Sequence, residues 1–114
     1  MKRHTTTKGF TLTPADEARL DRRVARLEKR LRSFNPDLVH LQAVIERHAR
    51  REEYTGSVRL SVLEQVLAAS RNTAPSVRTL LTEVFSDIEA QLDRLKAGLR
   101  GKTVRGRARR LVHR

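Results

Sequence analysis

Apolar residues in the first third of the chain recur with a helical period. Leu20, Val24, Leu27 and Leu31 follow the i, i+4, i+7, i+11 spacing that gathers them on one stripe. The start of this helix is specified just upstream. Thr13 can cap it, Pro14 suits the first helical position because its missing N–H has no partner there, and Asp16 faces the positive helix end. Asn35-Pro36 is expected to stop it. The period then drops to two. Between residues 37 and 48, Val39, Leu41, Ala43 and Ile45 alternate with His40, Gln42, Val44 and Glu46, which predicts a half-buried strand. A polar hairpin, Arg47 to Glu53, leads to a second strand around Tyr54, Val58, Leu60 and Val62. Val66-Leu67-Ala68-Ala69 predicts a short third one, after a turn near Glu64-Gln65 that contains no glycine. Asn72 to Ser76 opens a long helix. Its core stripe is Val77, Leu81, Val84, Ile88, Leu92, Leu95 and Leu99, and Gly98 and Gly101 bracket its expected end. Lys8 to Leu12 is a candidate for one further strand that its own composition does not establish. The order (β)-α-β-β-β-α predicts an α+β fold, an antiparallel sheet with two helices available to cover one face.

At 114 residues the chain fits one domain with one core. No run approaches the ~18 apolar residues of a membrane span, and Met1 to Thr7 leads into no apolar signal segment, so a soluble, cytoplasmic protein is expected. The absence of cysteine excludes disulfide frameworks, thiol nucleophiles and thiolate metal sites. Charge changes the picture more. There are 25 Lys and Arg against 13 Asp and Glu, a net +12, and 20 of the cations are Arg, the side chain suited to bidentate phosphate contacts. Residues 1–36 carry ten cations and four anions, residues 37–99 eight and nine, and residues 100–114 seven and none. Two basic regions thus flank a nearly neutral middle. The last one, with Arg100, Lys102, Arg105 and Arg107, reads as a tail at 100–114, disordered until it meets an anion, behind a folded domain at 1–99.

The excess on the first helix is ordered. At 100° per residue from Leu20, Arg19, Arg23, Arg26 and Arg30 fall between about −60° and −120°, while Glu17, Asp21 and Glu28 fall between about +60° and +100°. A solvated helix more often interleaves its signs, so an unbroken arginine ridge points to a polyanion. On the second helix Arg78 and Lys96 share one flank, and Arg94 lies on the other with Glu83 and Asp87. Signals for catalysis are close to absent. His40, Glu46 and His48 share strand parity, but strand residues eight apart are about 27 Å apart and cannot hold one metal. Ser57, Ser61 and Ser70 have no His or Asp companions at a catalytic spacing, and no Gly-rich phosphate loop occurs. No enzyme activity, cofactor, metal or small-molecule substrate is therefore expected. The four aromatic residues, Phe10, Phe34, Tyr54 and Phe85, are scattered and read as core rather than stacking platforms.

Gly9-Phe10-Thr11-Leu12-Thr13-Pro14-Ala15-Asp16, continuing through Arg22-Arg23-Val24-Ala25-Arg26-Leu27-Glu28-Lys29, resembles the start of bacterial hibernation-promoting factors and ribosome-associated inhibitor A, also called sigma-54 modulation proteins. The likeness continues through Val39 to Glu46 and Ile88 to Lys96, and spans about residues 4–99. It implies a β-α-β-β-β-α fold with a four-stranded sheet, supplying the strand before the first helix. The family binds the small ribosomal subunit, alone or in the assembled ribosome, between head and body over the mRNA path and the tRNA sites. Basic residues of both helices contact 16S-type rRNA and silence translation in stationary phase or stress. By position, the resemblance places Arg23 and Arg26 on helix one and Arg94 and Lys96 on helix two at such contacts. The ridge adds Arg22 and Arg30, and the tail adds Arg100, Lys102, Arg105 and Arg107. The chain departs from the family where Asp-x-Tyr-Ala-Ala-Ile-Asp is usual, reading Ser76-Val77-Arg78-Thr79-Leu80-Leu81-Thr82, and places Asp87 and Ala90 where basic residues are common. The likeness is to the short type, without the C-terminal dimerisation domain, and a monomer off the ribosome is expected. Two other readings share these features: a generic double-stranded-RNA-binding module, whose order is α-β-β-β-α, and a protein-binding transcription modulator.

Overall fold

The computed structural model describes residues 1–50 and 52–112, with side chains through Leu99 except Arg51. Its order is β1 (Lys2–Lys8), α1 (Pro14–Arg30), a 3-10 turn (Pro36–Leu38), β2 (His40–Arg47), β3 (Tyr54–Val62), β4 (Gln65–Ala74) and α2 (Val77–Val112). The four strands form one sheet in the order β1-β2-β3-β4. The β-α-β-β-β-α order of an α+β fold is as expected, and its details differ in four places.

β1 lies upstream of Lys8 to Leu12. Lys-Arg-His-Thr-Thr-Thr-Lys has no apolar alternation to announce it, and it becomes a strand by pairing in parallel with β2, from Lys2 opposite His40 to Lys8 opposite Glu46. Threonines suit such a pleated edge. Gly9, at φ +81, then turns the chain away; its missing Cβ leaves room for the Arg47 carbonyl oxygen, which a Cβ would meet at 2.9 Å. α1 begins as expected, with the Thr13 hydroxyl accepting from the Asp16 N–H at 3.1 Å. It ends at Arg30, short of Asn35. Leu31 closes it by donating to the Leu27 and Glu28 carbonyls, and Asn35 instead caps the 3-10 turn, accepting from the Asp37 N–H.

β2 and β3 pair antiparallel from His40 opposite Ser61 to Arg47 opposite Tyr54. Val39, Leu41, Ala43 and Ile45 point inward with Val58, Leu60 and Val62, all buried, as the alternation predicts. β4 is ten residues long rather than four. Its second half, Ser70 to Thr73, is polar and gains strand geometry from β3, with Ser57 opposite Ser70 and a bulge between Tyr54 and Gly56. The hairpin that joins them uses Leu63 and Glu64, both at positive φ (52° and 62°), so the primed turn demanded by two-residue hairpins is made without glycine.

α2 starts behind Ser76, whose hydroxyl accepts from the Thr79 N–H. Val77, Leu80, Leu81, Val84, Phe85, Ile88 and Leu92 are buried against the sheet and α1. Leu95 is only partly buried and Leu99 is exposed, so the core stripe ends a turn earlier than its spacing suggests. The helix itself continues through Gly98 and Gly101 to Val112. Each glycine costs only about 1 kcal/mol in a helix, and the Arg, Lys and Leu around them favour it. Both helices cover the face bearing Leu41 and Leu60, and Gln42, Arg59, Ala68 and Ser70 on the other face are exposed. Phe85 is fully buried, and Phe10 packs edge-on against Tyr54 at 5.3 Å.

Candidate nucleic-acid interface

α1 and α2 pack in parallel. Arg23 reaches Thr82, Arg26 reaches Glu89 and Arg30 reaches Asp93, each contact further along both helices, and Lys96 closes the series on the Arg30 carbonyl. The arginine ridge of α1 therefore faces α2 across a groove instead of standing alone in solvent. Its upper part is a recess of about 460 Å³ lined by Arg19, Arg22, Arg23, Arg26, Arg78, Leu81 and Thr82. Five guanidinium groups line it, and no carboxylate does.

The two halves of the groove differ in charge compensation. Arg26 stands at the boundary: it lines the recess, and Glu89, the one buried charged residue among the described residues, lies 3.6 Å from its Nε, while in the lower half Asp93 lies 3.5 Å from Arg30 Nε. Lys96 donates to the last carbonyl of α1 at 2.8 Å, a cation at the negative helix end. In the upper half Arg19 pairs with Asp16 at 2.8 Å. Arg23 donates to the Thr82 hydroxyl at 3.3 Å, and that hydroxyl donates to the Arg78 carbonyl at 2.9 Å, so Thr82 aims Arg23 across the groove. Arg22 and Arg78 have no ion-pair partner among the described residues, and both are exposed.

The expected contact residues separate accordingly. Arg22, Arg23 and Arg26 line the recess. Arg30 and Lys96 are engaged in holding the helices together. Arg94 is exposed on α2 but sits about 120° around the helix from Thr82, on the flank away from α1. That flank carries its own cluster, where Arg71 of β4 meets Glu83 at 3.1 Å and Asp87 at 3.7 Å. Arg100, Lys102, Arg105 and Arg107 lie outside the described side chains. Arg78 is the groove residue that the ridge of α1 does not reveal. Its signal is local: it is a cation in the first turn of a helix that has no acidic residue there, where the helix dipole disfavours it.

Among the described residues no three His, Asp or Glu side chains gather at metal-binding distance, and no helix is long and apolar enough to cross a membrane. His48 is half-buried and shares a 2.8 Å hydrogen bond with the Thr55 hydroxyl.

No protein-family model matches the chain, and no curated protein matches it in sequence. Solved structures do match. The N-terminal domain of Thermus thermophilus Protein Y aligns over 83% of this chain and 99% of its own length, with a TM-score of 0.64 at 12% identity. A ribosomal subunit interface protein from Coxiella burnetii aligns over 85% of this chain and 99% of its own, with a TM-score of 0.59 at 17% identity. The chain therefore has the β-α-β-β-β-α fold of the Protein Y N-terminal domain and of the Coxiella ribosomal subunit interface protein.

Proposed function

We propose that this protein belongs with the hibernation-promoting factors and is a non-enzymatic, ribosome-associated inhibitor of translation. It binds rRNA in the decoding channel of the small subunit and excludes mRNA and tRNA by occupying their path. The observation that carries this reading is the arginine-lined groove between α1 and α2, set on a fold shared with a ribosomal subunit interface protein. Arg22 and Arg23 supply phosphate contacts from α1, and Arg94 and the basic residues 100, 102, 105 and 107 extend them. With about 6–10 phosphate contacts, affinity falls by about 10³–10⁵ between 50 and 200 mM salt. The protein acts in the cytoplasm, during stationary phase or stress.

Co-sedimentation with purified small subunits tests this. The wild-type protein pellets with them at moderate salt, and Arg22→Glu/Arg23→Glu stays in the supernatant. These two positions are chosen because neither holds the helices together by an ion pair. A charge-reversed variant that pellets like wild type overturns the groove assignment. A wild-type protein that binds naked RNA duplex as well as it binds subunits is instead a generic double-stranded-RNA module. Salt-resistant binding to a protein, without ribosome association, marks a transcription modulator.

A further inference from the structure

We infer that the free edge of β1 is a docking strand for an extended acidic segment of a partner protein, which joins the sheet beside Lys2–Lys8 as a fifth strand. The inference draws neither on the α1–α2 groove nor on a ribosomal target.

The first observation is that the two edges of the sheet, β1 and β4, are finished differently. Carbonyls along β4 are taken by side chains: Gln91 of α2 donates to Ala68 at 2.7 Å, and Arg71 donates to Ser70 at 2.7 Å. β1 has no such cover. Lys2 donates its N–H to the Val39 carbonyl, so Lys2, His4, Thr6 and Lys8 turn their backbone groups to β2. Arg3, Thr5 and Thr7 turn theirs the other way, and these N–H and C=O groups have no partner among the described residues. β1 keeps one register with β2 along its whole length, with no proline or bulge to spoil the edge. Such an edge is what an added peptide strand pairs with.

The second observation is charge. Side chains alternate between faces along a strand, so Lys2, His4, Thr6 and Lys8 stand on the face that the helices leave open, about 6.6 Å from one to the next. Behind Lys2 and His4, His40 of β2 and Arg59 of β3 complete a cationic corner around a recess of about 440 Å³ that no carboxylate lines. All four are exposed, and none has an ion-pair partner among the described residues. On the helix side Arg3 is already paired with Asp21 at 2.8 Å, and at the far end Lys8 stands opposite Glu46. A strand laid against β1 repeats the same alternation. Carboxylates at every second position of it therefore meet Lys2 and His4 as cross-strand pairs. The same charges bar a second copy of this chain, because two β1 edges set side by side oppose cation to cation. An RNA strand would meet the cations, but its phosphates donate nothing to the carbonyls of Arg3, Thr5 and Thr7.

The test uses the full chain and a fluorescently labelled peptide of about eight residues that alternates Glu with Val or Thr, read by anisotropy at low salt. Two further peptides of the same sequence carry N-methyl groups on every second backbone nitrogen, in opposite phase. One phase removes the N–H groups that face β1, and the other removes those that face solvent. The parent and the solvent-side phase are expected to bind alike, and the β1-side phase to bind at least about tenfold more weakly, the loss of a few hydrogen bonds of ordinary size. Binding of the parent slows hydrogen exchange at the Arg3, Thr5 and Thr7 amides. Thr5→Pro removes an edge N–H without touching the ladder to β2, and Lys2→Gln/His4→Gln removes the charge; both weaken the parent peptide. No binding of the parent, equal binding of the two N-methyl phases, or unchanged exchange at the three amides overturns strand addition. A labelled single-stranded RNA that binds where the peptide does not, and is lost in Lys2→Gln/His4→Gln, also overturns it and makes the corner an RNA surface.

Discussion

Arg26 and Glu89 form a pair whose two members sit in different solvents, and this makes its mutants asymmetric. The Glu89 side chain is only 7% exposed, the Arg26 side chain is 56% exposed, and the closest approach is 3.6 Å. Replacing Arg26 with Met keeps the aliphatic stem and deletes the charge, leaving a carboxylate in the helix interface with no cation beside it. Stranding a fully buried charge costs about 3–5 kcal/mol, and water at the groove mouth reduces this, so we expect about 2 kcal/mol. For a domain near 100 residues that lowers the melting temperature by about 8–16 °C. Glu89→Gln does the opposite: it removes the charge that burial penalises and leaves Arg26 free to face water, at a change within about 1 kcal/mol. Thermal unfolding followed by far-UV circular dichroism reads both, and Arg26→Met/Glu89→Gln should recover most of the loss. Equal losses in the two single variants, or a double variant no better than Arg26→Met, would refute the reasoning. The outcome also decides how charge-removal experiments on the groove are read, because loss of binding by an Arg26 variant mixes lost contact with lost fold.

Two further predictions concern the scaffold. In Gly56→Ala the new Cβ meets Leu80 Cδ2 at 2.6 Å, and Leu80 is fully buried, so urea denaturation should show a loss of about 1–3 kcal/mol at unchanged m-value. Glu64 sits at φ 62° in the β3–β4 turn; Glu64→Gly relieves that conformation and should raise the unfolding free energy by about 0.5–1 kcal/mol, while an unchanged or lower value contradicts the turn strain.

Burial on one face made most of the scaffold legible. Leu20, Val24 and Leu27, and the alternation from Val39 to Ile45, carry their periods because one side of each element must leave water. β1 and the end of β4 have no such asymmetry. Lys2–Lys8 owes its strand state to β2, a partner far along the chain, and Ser70 to Thr73 to β3. At the groove, a helical wheel assembled the arginine ridge of α1 correctly but could not say what faces it. Wheel geometry likewise grouped Arg78 with Lys96 on α2, and only the parallel packing of the helices turns that flank toward α1. The acidic partners Glu89 and Asp93 were invisible for the same reason: compensation across two helices is a property of their pairing, not of either sequence.

The parallel pairing of β1 with β2 also constrains how the protein is born. Lys2 pairs with His40, 38 residues later, whereas β2, β3 and β4 meet through successive short turns. During synthesis at about 5–20 residues per second, the first strand to leave the ribosome waits about 2–8 s for its partner to be made. Throughout that interval its Lys-Arg-His-Thr-Thr-Thr-Lys composition keeps an unpaired edge hydrated and mutually repelling between nascent copies. The polarity that hid β1 from pattern reading is what lets the chain carry an unpaired first strand safely until β2 is made.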